Sequence, residues 1–299
     1  GAAVPALVAG AAGVRPVTFV DPATGAPRLA CGVKRKVIIF DPVAGGEALV
    51  VIKAGGDIEA MVVFEDPATG APRLACGSRN RRNGDVRVFD PVAGGEALVV
   101  INDGEWVSAL EVFADPGTGE LRIACGCGDG KVRIFDSLAA GDALIVLKGH
   151  TDFVRALTVF TDRATGGLRL ASGSSDRSVR IWDLTAGGAA LFVLEGHTGG
   201  VHALTTFTDP ATGETRLVSG SRDKTLRLWD VNKGGVALRV IPFEDEGEVW
   251  TGGRDTSGLF VAFGKRWGEL RVESGTTPLT LACHKDDLAA ISVLLQEGA

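Results

Sequence analysis

The sequence predicts an all-β chain assembled from a duplicated unit of four short antiparallel strands. Three observations carry that expectation. An aromatic-Asp pair recurs as Phe40-Asp41, Phe89-Asp90, Phe135-Asp136, Trp182-Asp183 and Trp229-Asp230, which sets successive aspartates 49, 46, 47 and 47 residues apart. A turn-forming string recurs in a second register, as Asp21-Pro-Ala-Thr-Gly25 and counterparts opening at Asp66, Asp115, Asp162 and Asp209. Each turn is followed by Leu-Ala-Cys-Gly, Ile-Ala-Cys-Gly, Leu-Ala-Ser-Gly or Leu-Val-Ser-Gly. Three landmarks in one register are a repeat, and four strands per period of this length is the arithmetic of a β-propeller blade.

The fourth unit shows the strands in order. Phe153–Phe160 reads as the first, Leu168–Ser172 as the second, Ser178–Trp182 as the third and Ala190–Leu194 as the fourth. In the Asp-Pro-x-Thr-Gly link, Pro fixes φ and Gly is free for positive φ, which is the chemistry of a hairpin closed by a bulge. Ala44-Gly45-Gly46 and Ala186-Gly187-Gly188 punctuate the turn before a fourth strand. Five units are clear between residues 15 and 243. A degenerate sixth, residues 244–274, keeps Val249–Asp255, Leu259–Phe263 and Glu269–Val272 as strand candidates. Pro5–Val8 is in register with a fourth strand and would complete that sixth blade, giving one propeller over residues 1–274; a fragment of a seven- or eight-bladed ring is the alternative.

Gly149-His150, Ala171-Ser172-Gly173-Ser174, Asp176 and Val179-Arg180-Ile181-Trp182-Asp183 together resemble the WD-repeat (WD40) family. So do Gly196-His197, Val218-Ser219-Gly220-Ser221, Asp223 and Leu226-Arg227-Leu228-Trp229-Asp230. The resemblance implies a closed propeller that acts as a rigid platform for protein partners. It also implies a hydrogen-bonded tetrad in each of these two blades: His150, Ser172, Asp176 and Trp182, then His197, Ser219, Asp223 and Trp229. Buried imidazole and indole groups need such partners. The first three units depart from the pattern, with Phe40, Phe89 and Phe135 for Trp and Cys31, Cys76 and Cys125 for Ser; only Asp129 keeps the turn Asp. An apolar set is therefore expected in place of the tetrad there, a joint exchange that is nearly neutral.

Residues 275–299 resemble a single ankyrin repeat, so a short α-helical segment is expected after the propeller. Thr277-Pro278-Leu279 suits a helix start, and Leu288, Ile291, Leu294 and Leu295 mark one face of a second helix. One such unit cannot bury its own face, so the natural chain is expected to continue beyond Ala299.

Composition narrows the function classes. Of 299 residues, 45% are hydrophobic and 23% charged, the globular range, and a net charge of −6 gives no global attraction to nucleic acid or an anionic membrane. Five Cys, an odd count, suits a reducing compartment, cytoplasmic or nuclear. Cys125 and Cys127 occupy the repeat positions of Ser172 and Ser174, so no metal site is expected. The His-Ser-Asp sets lack a strained Gly-x-Ser-x-Gly elbow, and no phosphate loop occurs, so neither catalysis nor a cofactor is expected.

Variation between units is concentrated in two kinds of link, second-to-third and fourth-to-first, which emerge on one face of a propeller. That face carries Lys34, Arg35, Lys36, Arg79, Arg81 and Arg82 on adjacent units, with Trp106 and Phe153 as aromatic anchors. An acidic or phosphorylated peptide or protein suits it. The expected function is a non-catalytic interaction scaffold; a regulatory or targeting segment of a larger enzyme is the alternative.

Overall fold

A computed structural model describes residues 16–79, 84–102, 104–163, 165–185, 187–209 and 212–242, and the backbone of five strands between 249 and 294. Six sheets follow one another along the chain, each built in sequence order. Sheet 1 is β1 (Val17–Val20), β2 (Pro27–Val33), β3 (Lys36–Phe40) and β4 (Val50–Lys53). Sheet 2 is β5 (Asp57–Glu65), β6 (Pro72–Arg79), β7 (Asp85–Phe89) and β8 (Val99–Asn102). Sheet 3 is β9 (Val107–Ala114), β10 (Leu121–Cys127), β11 (Val132–Asp136) and β12 (Ile145–Leu147). Sheet 4 is β13 (Val154–Thr161), β14 (Leu168–Ser174), β15 (Val179–Asp183) and β16 (Phe192–Leu194). Sheet 5 is β17 (Val201–Thr208), β18 (Thr215–Ser221), β19 (Thr225–Asp230) and β20 (Arg239–Pro242). These five four-stranded sheets are consistent with the blades of a propeller.

The turn chemistry forms as the sequence dictates. Gly25 adopts φ +68° and donates its N–H to the Asp21 carbonyl at 2.8 Å, while Asp21 Oδ1 accepts from Ala23 N–H at 3.0 Å. The same Gly-to-Asp bond, 2.7 Å long, closes the turns at Gly70, Gly119, Gly166 and Gly213. Alternation then drives burial: Val37 and Ile39 of β3 are buried, whereas Lys36 points to solvent.

Two compact units divide the chain, Gly1–Val154 and Arg155–Ala299. Within the first, one apolar cluster lies between sheets 1 and 2 (Phe19, Ile39, Met61, Phe89) and another between sheets 2 and 3 (Phe64, Val86, Ile123, Phe135). Within the second, Phe160, Ile181, Leu204 and Trp229 join sheets 4 and 5. Second-strand glycines let consecutive sheets approach. A Cβ on Gly77 would lie 2.7 Å from Val107 Cγ1, and one on Gly173 2.7 Å from Val201 Cγ1.

After sheet 5 come β21 (Val249–Asp255), β22 (Gly258–Phe263) and β23 (Arg266–Val272), strands where the sequence leads one to expect three. They continue into β24 (Pro278–Cys283) and β25 (Ala290–Leu294), all five forming one antiparallel sheet. This corrects the expected helical ankyrin-like segment over 275–299. The physical reason is visible in the sequence: Leu279, Leu281 and Cys283 alternate with Thr280 and Ala282, and β-branched Ile291 and Val293 flank Ser292, a period of two. A lone helical repeat has no neighbour to cover its apolar face, whereas a strand finds one at a sheet edge. Pro5–Val8, and with it the closing strand, lies outside the described residues, as do Arg81 and Arg82. No helix among the described residues is long and apolar enough to cross a membrane.

Candidate functional site

Hydrogen bonds bring the two kinds of variable link together. Ala54, in the link entering sheet 2, and Ile58, at the start of β5, donate to the carbonyls of Arg35 and Lys34, both at 2.8 Å. Gly128 donates to the Trp106 carbonyl at 2.8 Å, and in the second unit Arg222 donates to the Gly200 carbonyl at 3.0 Å. Second-to-third and fourth-to-first links therefore share one end of the sheets.

Beneath that end in sheet 5, His197, Ser219, Asp223 and Trp229 form a continuous network. His197 Nδ1 lies 2.8 Å from Asp223 Oδ2, His197 Nε2 lies 2.7 Å from Ser219 Oγ, and Trp229 Nε1 donates to Ser219 Oγ at 2.7 Å. Hydrogen bonds from Thr225, Thr198 and His197 outweigh the effect of burial and hold the Asp223 carboxyl below its usual range. An ionised carboxylate only accepts, so the proton sits on Nδ1, and Nε2 takes the Ser219 hydroxyl. Burial lowers the His197 pKa more than Asp223 raises it, so the ring stays neutral. In sheet 4, Trp182 Nε1 donates to Ser172 Oγ at 2.8 Å, His150 is buried, and Asp176 accepts from Ser178 N–H at 2.9 Å and from its hydroxyl at 2.7 Å.

Sheets 2 and 3 are not the purely apolar exchange that the Phe and Cys substitutions lead one to expect. In sheet 3, Asp129 receives Lys131 Nζ at 2.6 Å and both Arg133 terminal nitrogens at 3.0 and 2.7 Å. Burial raises the Asp129 pKa, but the bonds from Arg133 and Lys131 overcome it and keep the carboxyl well below its usual range. In sheet 2, Asp85 accepts from the Ser78 hydroxyl and from Arg87 Nε at 2.7 Å. A third-strand arginine thus supplies the polar partner once His and Trp are gone. Cys76, Cys125 and Cys127 are buried thiols, and burial pushes the Cys76 thiol far above its usual range. Among the described residues no group of His, Cys, Asp and Glu is placed to hold a metal.

At the opposite end of each of sheets 1 to 5 stands an ion cluster that the sequence reading does not identify. Arg28 bridges Asp21 and Asp41, each at 3.0 Å. Arg73 bridges Asp66 at 2.8 Å and Asp90 at 3.7 Å; Arg122 meets Asp136 at 2.8 Å and Asp115 at 3.8 Å. Arg169 meets Asp162 at 2.6 Å, and Arg216 joins Asp209 at 3.5 Å and Asp230 at 3.4 Å. The signal was present: an Arg follows each turn Asp by seven residues, in all five units. These aspartates are the two landmarks of the repeat, and in sheets 1, 2, 3 and 5 one Arg joins both of them.

The candidate partner residues separate into groups. Lys34, Arg35, Lys36 and Arg79 are exposed. Arg35 pairs with Asp57 at 3.8 Å and Arg79 with Glu59 at 3.5 Å, both in solvent, where such pairs bind weakly. The Arg79 guanidinium stands 5.0 Å from the Trp106 ring centroid, and the Trp106 and Phe153 rings are 5.6 Å apart. Gly128 makes the space for that pair: a Cβ there would lie 2.9 Å from the Phe153 ring and 3.3 Å from Trp106. Both rings remain half-buried.

Residues 141–183 and 188–230 match the family model described as WD40, WD domain, G-beta repeat, so the chain carries WD40 repeats there. The first match runs from β12 through the first three strands of sheet 4, and the second from β16 through the first three of sheet 5, so they contain the two units with His, Ser and Trp in place. No curated protein matches the chain.

Proposed function

We propose that the protein is a non-catalytic scaffold whose second-to-third links hold an acidic or phosphorylated segment of a protein partner. One observation carries this reading. Among the described residues the non-glycine positions with positive φ are Lys34 (52°), Arg177 (74°) and Lys224 (63°). All three lie in second-to-third links and all three are cations, while sheet 3 uses Gly130 in its own link, at φ 79°. An L-residue in this conformation costs about 1 kcal/mol or more relative to glycine. Cations kept at strained positions that glycine fills without cost point to a use for the charge. Arg79 over Trp106, beside Phe153, adds an aromatic anchor to that charge in the first unit. WD40 repeats typically bind proteins or peptides, which agrees with the reading at the level of fold.

The test is capture of acidic and phosphorylated peptides by the full chain, followed by fluorescence anisotropy at two salt concentrations. Arg79, Arg81 and Arg82 changed together to Glu, or Lys34 and Arg35 changed to Glu, weaken capture by roughly tenfold or more and leave the melting temperature in place. Capture that is unchanged in both variants removes the proposal.

A further inference from the structure

The outer strands carry a repeated feature unrelated to the link face. Of twelve large hydrophobic side chains exposed among the described residues, eight stand at two repeat positions. Leu49, Leu98, Leu144, Leu191 and Leu238 occupy the first, and Val51, Val146 and Val240 the second, two residues on. The first five are 43–56% exposed, so each leucine keeps about half of its surface in water. Each leucine N–H bonds to the third strand, from Leu49 to Ile39 and from Leu98 to Val88, both at 2.8 Å. Spacing of two on extended backbone sets Leu and Val on one side. The intervening residue turns inward; Val50 packs so closely on sheet 2 that a methyl on Gly94 would lie 2.8 Å from its Cγ1.

β4, β8, β12 and β20 are each the outermost strand of their sheet. An apolar outermost strand is a template for a further strand, and folded proteins commonly blunt it with a charge or proline. Val99-Val100-Ile101 and Ile145-Val146-Leu147 contain neither. The last sheet shows what such an edge accepts. There β24, the fourth strand, is flanked by a fifth: Ala290-Ile-Ser-Val-Leu294 pairs antiparallel with it, from Pro278 opposite Leu294 to Ala282 opposite Ala290.

We infer that β8 and β12, unlike β4 with Lys53 and β20 with Arg239 and Pro242, dock an extended, uncharged segment of a protein partner with apolar side chains at alternate positions, added as a fifth antiparallel strand as β25 is added to β24. Main-chain hydrogen bonds give the affinity, and the Leu-x-Val strip selects side chains.

The probe is a labelled synthetic peptide with the sequence of residues 289–295, titrated into the full chain. Three readouts accompany it: hydrogen exchange, sedimentation velocity, and a control peptide N-methylated at alternate amides. The expected result is saturable binding, new amide protection in the outer strands, and loss of both with the N-methylated peptide. Changing Leu98 and Leu144 together to Glu weakens binding about tenfold or more, with an unchanged circular dichroism spectrum. Equal binding of the N-methylated peptide overturns the inference, since strand addition requires those amides. Absence of binding overturns it too, and so does self-association that only the Glu variant abolishes, because the edge then serves a second copy. None of these outcomes depends on the cationic links, whose variants report on the other face.

Discussion

Arg169 and Asp162 show how much one charged pair can hold. Asp162 is fully buried, and Arg169 reaches it at 2.6 Å with most of its own side chain covered. Arg169→Met keeps the apolar stem and removes the charge, leaving a buried carboxylate with the Thr165 hydroxyl at 2.6 Å as a neutral partner. The expected cost is about 2–4 kcal/mol, measured by urea unfolding. Changing both residues, Arg169→Met with Asp162→Asn, restores part of it, because the orphaned charge is gone; a double variant worse than the single one contradicts this. The two bonds at Ser219 follow the same logic with neutral groups, each satisfying an atom that burial has removed from water.

Among the elements, the second strand illustrates what sequence reading captures and what it misses. The turn glycine at position 25 is legible from its neighbours, since Asp-Pro-x-Thr-Gly needs positive φ locally and the structure gives +68°. Gly173 is legible only as a landmark. Its reason lies in another sheet, where Val201 leaves no room for a methyl group. Gly173→Ala is expected to cost about 1–3 kcal/mol by overpacking, whereas Gly25→Ala, with nothing within 4 Å of the added atom, costs about 1 kcal/mol or more through its positive φ alone. A melting temperature for Gly173→Ala equal to that of the unaltered chain would count against tight packing between sheets 4 and 5. The arginine clusters are hard to read for a related reason: each Asp stands in a short local string, and its partner stands on a different strand. At the C-terminus the misreading went the other way. Thr-Pro-Leu suggested a helix cap, while the period of two in residues 278–283 and 290–294 fits the strands that form.

Across the whole molecule, acid stability follows from the direction of the shifts. Backbone N–H groups, first that of Ala23 at Asp21, that of Ala44 at Asp41 and that of Ala68 at Asp66, hold these carboxyls below 3.8, with Arg28 and Arg73 adding to the effect. The unfolded chain therefore binds these protons first as pH falls. Their contribution is complete above pH 3.8 and is lost progressively below it. His197 has the same sign in a higher window: buried neutral, it takes its proton later than the unfolded chain does, so stability begins to decline as pH falls through 6.5. Calorimetry from pH 8 to pH 3 should show a shallow decline from the first point and a steep one from the second. His197→Gln removes part of the shallow decline; an identical profile in that variant would dissociate the decline from His197. The repeat architecture was readable because each unit repeats its punctuation, whereas the completion of the ring depends on Pro5–Val8, which stands outside the described residues.

Each arginine cluster draws its members from a single short stretch: Arg28 lies seven residues from Asp21 and thirteen from Asp41. A gene segment encoding one unit therefore carries the charges of its own fastening, to which the neighbouring unit adds a contact in one case, from Arg169 to Asn232 at 3.1 Å. Selection can then rewrite the links at the other end, one unit at a time, as Lys34, Arg79 and Arg177 illustrate, while every new copy arrives already buckled.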